Sequence, residues 1–166
     1  NTLSFAFSRE PTQRCISMFY YLYWQGKGAL RIKSAIKQSL KTRTLQFNTS
    51  YAFDVFLDNI QKTLESDSIY EPLGSHFSTH IVPMWNDVTD FEGNILITKI
   101  FRLENLIEGL NQVFEECELE KRLKREERKL NQNSSKGHYK PSKNQISKIE
   151  SIYSYDFELY ENAIRF

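Results

Sequence analysis

No charge of either sign dominates this chain. Its 22 Lys and Arg stand against 21 Asp and Glu, leaving +1 at pH 7 over 166 residues. No global field therefore draws it to nucleic acid or to a membrane surface, and an anion site has to be built locally. No apolar run comes near the roughly 20 residues that span a bilayer. Cysteine is scarce: Cys15 and Cys117 are the only two. Both fall on apolar faces of expected helices and read as buried thiols, so neither a disulfide nor a metal site is expected. No internal repeat is visible, and no signal peptide. The sequence opens on Asn1 rather than Met and enters a strand almost at once. It is expected to be a processed or excised piece, with targeting information upstream.

What is present fits one globular domain over residues 1–166. Hydrophobic residues make up 40% and charged residues 26%, enough for a single substantial core. Residues 3–7, LSFAF, read as a buried strand. From Pro11 the period turns helical, with Cys15, Met18, Phe19, Leu22 and Tyr23 spaced for one face. Pro11 suits a first helical turn, where a missing N–H does no harm. Residues 29–47 are basic and weakly periodic; Lys27, Arg31, Lys33, Lys37, Lys41 and Arg43 read as a solvated stretch, with an anionic glycan as the alternative partner.

A second helix is expected at 51–64 on Phe53, Phe56, Leu57, Ile60 and Leu64. Residues 66–93 read as a long irregular region, 94–101 (NILITKIF) as a second strand, and 103 onward as a helix with Leu103, Leu106, Leu110, Val113, Phe114 and Cys117 inward. Residues 118–143 continue as a charged helix end, ELEKRLKREERKL, and a polar, mobile loop. The last segment, 144–165, is helical with a break near Tyr155 and Asp156. Strands alternating with helices imply an α/β fold with a parallel sheet flanked by helices, helix-rich in this chain. Two strands make a poor sheet, so further strands are expected from missing sequence.

The residues with most chemical content are in FSREPTQRCISMFYY, 7–21. In open α/β sheets ligands gather beyond the carboxyl ends of strands, and Arg9 falls at such an end. Its guanidinium is a fork of donors matched to two phosphate oxygens. Ser17 lies six residues past Pro11, about 9 Å along a helix axis, within an extended arginine's reach. The N–H groups of the first helical turn add a favourable field for an anion. The plainer alternatives are an Arg9 ion pair with Glu10 and a Ser17 hydrogen bond back to the Gln13 carbonyl.

This stretch resembles the 3′-phosphate-binding element of sulfotransferases that use 3′-phosphoadenosine 5′-phosphosulfate (PAPS). That element is a strand, Arg-x-Pro, a further arginine, and a serine eight residues after the first; here Arg9, Pro11, Arg14 and Ser17 match. The carbohydrate sulfotransferases of the uronyl or heparan-sulfate 2-O type and the chondroitin type are the most similar. HFSTHIVPMW is similar to the family's His-x-x-x-Gln segment, with His76 at its histidine and His80 where glutamine is common. ILITKIFRLENLIEGL resembles its strand followed by Arg-x-Glu-x-Leu, matched by Arg102, Glu104 and Leu106. SSKGHYKPSKNQISKIESIYSYDFELY is similar to its closing basic loop and final helix.

The resemblance implies a P-loop-like sulfotransferase fold and sulfuryl transfer from PAPS, without a metal, to a hydroxyl of a carbohydrate or similar acceptor. It implies that Arg9 and Ser17 bind the 3′-phosphate, that Lys136 and His138 close over the nucleotide phosphates, and that Arg14 makes a structural salt bridge. Arg102 and Glu104 are implied to be a pair holding strand to helix. His76 would line the cofactor or acceptor pocket and is the one weak candidate for a catalytic group. Family members carry a Lys/Gly/Thr-rich phosphosulfate loop and a catalytic His or Glu before the Arg-x-Pro strand. Neither occurs in this sequence, so the chain is expected to be the C-terminal portion of the domain and inactive by itself. A non-catalytic nucleotide- or partner-binding remnant is the alternative. A bacterial cytoplasmic enzyme and a Golgi-lumen enzyme freed from its anchor both fit; oligomeric state and acceptor identity stay open.

Overall fold

The structure, a computed structural model, describes residues 2–24, 49–66, 75–124 and 139–166. The elements run β1 (Phe5–Ser8), α1 (Pro11–Met18), a π-helical continuation (Phe19–Trp24), α2 (Thr49–Glu65), α3 (Ser75–Ile81), α4 (Trp85–Val88), β2 (Lys99–Arg102), a 3₁₀ turn (Leu103–Asn105), α5 (Leu106–Glu116), α6 (Lys143–Ile152) and α7 (Ser154–Asn162). These residues divide into two compact units. One holds Asn1–Glu10, Met84–His138 and Tyr155–Phe166; the other holds Pro11–Pro83 and Tyr139–Ser154.

The first unit is built on a parallel pair of strands, as the alternation of strand and helix predicts. Phe5, Ala6, Phe7 and Ser8 of β1 face Lys99, Ile100, Phe101 and Arg102 of β2 in register. The C-terminal tail extends the ladder on the other edge of β2: Arg102 N–H donates to the Ile164 carbonyl (3.2 Å) and Ile164 N–H to that of Ile100 (2.8 Å). Side chains alternate across a strand, so Phe7 and Phe101 share one face, their ring centroids 5.5 Å apart. Against that face lies α5, which approaches at Gly109 because only a residue without Cβ fits over the two rings. A Lys99–Glu116 ion pair ties β2 to the end of the helix.

The second unit is helical, with an aromatic core. Cys15, Met18, Phe19 and Leu22 are buried as the helical spacing requires. Phe19 meets Phe53 at 5.2 Å and Phe56 at 5.5 Å in edge-on geometry, and Phe56 continues to Phe77 of α3 at 6.1 Å. Such pairs add about 0.5–1.5 kcal/mol each beyond their buried area. Both α1 and α2 pack on α6. A buried glutamine governs that packing. Gln145 closes a capping box with Ser142, accepts the Tyr139 hydroxyl (2.7 Å) and donates to the Ser50 carbonyl (3.1 Å) and to Asp54 (2.7 Å).

Several sequence expectations are corrected. Residues 66–93 contain α3 and α4 rather than irregular chain alone. The strand expected over 94–101 begins only at Lys99. Asp90 closes a turn by accepting from the backbone of Glu92 (2.9 Å) and Asn94 (2.8 Å), and Ile95 then bridges back to Thr89. The helix expected from 103 ends at Glu116 instead of running through the charged segment. Glu118 takes a φ of 55°, and the N–H groups of Leu119 and Glu118 return to the carbonyls of Phe114 (2.8 Å) and Glu115 (3.0 Å). That is a Schellman stop. It turns Cys117 outward, so Cys15 is the buried thiol and Cys117 an exposed one. The break in the last helix falls at Tyr153, between α6 and α7.

Candidate functional site

Arg9 follows the carboxyl end of β1 directly and is half-buried. Neither it nor Ser17 has an ion-pair or side-chain hydrogen-bond partner among the described residues. The two plainer readings, an Arg9–Glu10 pair and a Ser17 bond to the Gln13 carbonyl, are thus absent there. Pro11 is buried at the first position of α1, as its fixed φ and missing donor favour. Ser17 lies in the last turn of that helix, half-buried beside Met18.

Arg14 has a different task. Its guanidinium donates to the Val82 carbonyl (2.5 Å) and the His80 carbonyl (3.4 Å) at the end of α3, and sits over the Tyr153 ring at 5.5 Å. The described partners are therefore carbonyls and a ring rather than the carboxylate of the expected salt bridge. Tyr153 in turn donates its hydroxyl to the Ile81 carbonyl at 2.9 Å. Two side chains thus converge on three successive carbonyls at the end of one short helix, which fixes Arg14 as architecture.

At the carboxyl ends of β1 and β2 the sequence reading missed Ser8, which stands beside Arg102. Ser8 and Arg102 are register partners. Ser8 Oγ and Arg102 Nε are both shielded from solvent without a hydrogen-bond partner among the described residues, which costs roughly 1–3 kcal/mol per group. The signal was in plain view: a serine immediately before Arg9, in a strand otherwise apolar.

Arg102 holds β2 to α7, without an ion pair to Glu104. It lies 4.0 Å over the Tyr160 ring and bonds Glu161 (3.2 Å), while the Glu104 carboxylate stands near enough to the Tyr160 hydroxyl to act on its charge. Burial, and then the Glu104 carboxylate, hold that hydroxyl above its ordinary pKa. A second anchor is Asp156, whose buried carboxylate accepts the N–H groups of Met84 (3.0 Å) and Trp85 (2.8 Å) at the start of α4.

His76 lies in α3. His80, in the same helix, sets its ring edge-on to Tyr21 at 5.2 Å. Lys136 and His138 lie outside the described residues, as do the basic residues of 27–43. Among the described residues no cluster of His, Cys, Asp and Glu could hold a metal ion, and no helix is long and apolar enough to cross a membrane.

A parallel pair of strands whose carboxyl ends carry Ser8, Arg9 and Arg102 puts the molecule among α/β proteins of the kind that collect ligands beyond their strand ends. The comparisons narrow the class. The model of the Sulfotransferase family matches residues 1–162, and the chain belongs to that family of PAPS-dependent sulfuryl transferases. No curated protein and no solved structure matches it.

Proposed function

We propose that this chain supplies the 3′-phosphate-binding element of a sulfotransferase acting on a hydroxyl of a carbohydrate or similar acceptor. The observation that carries the reading is the division of labour in REPTQRCIS. Arg14 is committed to carbonyls, whereas Arg9 and Ser17 have no partner among the described residues. A guanidinium left uncommitted suits the peripheral oxygens of a phosphate, and the family resemblance adds the Ser17 hydroxyl to the same group.

In the reaction the acceptor oxygen attacks sulfur, the bond from sulfur to the 5′-phosphate oxygen breaks, and the acceptor proton passes to a base. Adenosine 3′,5′-bisphosphate leaves. Arg9 and Ser17 act at the other end of the nucleotide, where binding energy positions the sulfur without touching the bond that changes. Lys136 and His138 are assigned to the nucleotide phosphates, and His76 to the wall of the cofactor or acceptor pocket.

Calorimetric titration with adenosine 3′,5′-bisphosphate tests this. Arg9→Ala removes a bidentate charge-assisted contact of about 3 kcal/mol and weakens binding roughly 100-fold; Ser17→Ala weakens it roughly tenfold. Adenosine 5′-monophosphate, which lacks the 3′-phosphate, responds to neither substitution. Equal losses for both nucleotides would refute the assignment.

A further inference from the structure

Ahead of the amino end of β2 the first unit carries a cleft of about 850 Å³ whose walls include Trp85, Phe91, Leu96, Tyr155, Asp90 and Glu92. Trp85 and Tyr155 are stacked, ring centroids 5.2 Å apart and planes 28° from parallel. Tyr155 is 60% exposed, Leu96 64%, and Phe91 projects fully into solvent from its turn. The platform is held firmly from behind, because Trp85 N–H is bonded to buried Asp156. The stack ties α4 to α7, but the exposed part of Tyr155 and the ring of Phe91 are left to solvent.

Two features select the occupant. Aromatic faces carry negative charge over the ring and attract the polarised C–H face of a sugar, while carboxylates beside them accept its hydroxyls. Among the described residues the charged side chains of the wall are Asp90 and Glu92, with no Lys or Arg, a lining that disfavours an anionic sugar. Size separates a sugar from a small organic cation. The cleft lies in the range of roughly 300–1,000 Å³ of sites for ring-bearing ligands, far larger than the cage that encloses an ammonium group.

We infer that this cleft is a saccharide-holding site for uncharged sugar rings. Resting on the sulfotransferase reading, the ring held here belongs to the acceptor but is not the one that reacts. The cleft precedes β2, whereas ligands in such sheets collect beyond the carboxyl end, a strand of four residues away, about 13 Å. A remote ring bound on the platform raises the effective concentration of a polymeric acceptor at the reaction centre.

The test uses the 166-residue chain with Trp24→Phe, leaving Trp85 as the sole indole of the original two. Its fluorescence is titrated with chitotetraose and cellotetraose, both uncharged, with an anionic hyaluronan tetrasaccharide, and with tetramethylammonium. An uncharged tetramer is expected to saturate with a Kd on the order of 1 mM. Tyr155→Ala and Phe91→Ala each weaken it roughly threefold to tenfold and leave adenosine 3′,5′-bisphosphate binding unchanged. Failure of both uncharged tetramers to saturate overturns the inference, as does tighter binding of hyaluronan or tetramethylammonium. So does a dimer in sedimentation that Phe91→Ala abolishes while no sugar binds. Sugar binding lost with nucleotide binding intact defeats this inference alone; nucleotide binding lost defeats the sulfotransferase reading beneath it.

Discussion

Replacing Gly109 with alanine sets two effects of opposite sign against each other. Glycine inside a helix is about 1 kcal/mol worse than alanine, so on propensity alone Gly109→Ala strengthens α5. The structure says otherwise. A Cβ at 109 would lie 2.9 Å from Phe101 Cγ, 3.1 Å from Phe101 Cδ1 and 3.0 Å from Phe7 Cε1, where carbon atoms prefer about 3.5–4.0 Å. Phe101 is fully buried, with no room to swing away. Overpacking of this kind costs typically 1–3 kcal/mol. The clash outweighs the propensity gain, and the net expectation is a loss of about 1–2 kcal/mol.

Urea unfolding followed by far-UV circular dichroism reads the loss, and amide exchange at Lys99–Arg102 places it on β2. A double-mutant cycle separates this cause from a generic helix defect. Phe7→Leu removes the Cε1 atom, so Gly109→Ala in that background costs about 0.5–1 kcal/mol less than in the native chain. A Gly109→Ala protein as stable as the parent, or a cycle with no coupling, would refute the claim that α5 is seated on these two rings.

Three further outcomes are expected. Asp156→Ala strands two N–H groups at the start of α4 and costs about 3 kcal/mol in urea titrations; a cost below about 0.5 kcal/mol would remove Asp156 as the anchor of that helix. Glu118→Gly relieves a side chain held at a φ of 55° and stabilises by about 0.5–1 kcal/mol, whereas destabilisation would mean that the Schellman geometry does not end α5. Hydrogen bonds from the Asn94 side chain first, and then its backbone, hold the Asp90 carboxyl below its ordinary pKa. Its contribution is thus present above the unfolded value near 4 and lost as the pH falls through the lower folded value. Asp90→Asn should flatten that part of the acid limb, and an unchanged difference between the two proteins from pH 5 to 2 would contradict it.

Periodicity carried the sequence reading where one face of an element meets one core. Of the stripe Phe53, Phe56, Leu57, Ile60 and Leu64 all but the half-buried Leu64 are buried, as are Cys15, Met18, Phe19 and Leu22 of the first helix, the Tyr23 side chain lying outside the described ones; 3.6-residue spacing is set by the backbone itself. The end of α5 was illegible for the opposite reason. A Schellman stop usually advertises itself with glycine, and here a glutamate occupies the left-handed position amid charged residues that favour helix. Gln145 was legible, since Ser142 three residues before it spells a capping box. Asp156 could not be read at all, since its partners Met84 and Trp85 are more than 70 residues away in sequence.

The two arginines show best where sequence stops and structure begins. Arg9 and Arg14 carry the same group, with the same reach and charge, five residues apart. Spacing alone allowed either to meet a phosphate. What separates them is the end of α3, which offers Arg14 two backbone carbonyls and a tyrosine ring and so absorbs its donors into the fold. Arg9 has no such sink among the described residues. A guanidinium half-shielded from water and without an internal acceptor remains available to an external one, and an oxyanion repays its desolvation with charge-assisted hydrogen bonds. The role proposed for Arg9 follows by subtraction: donors that the fold does not consume are the ones it can offer to a ligand.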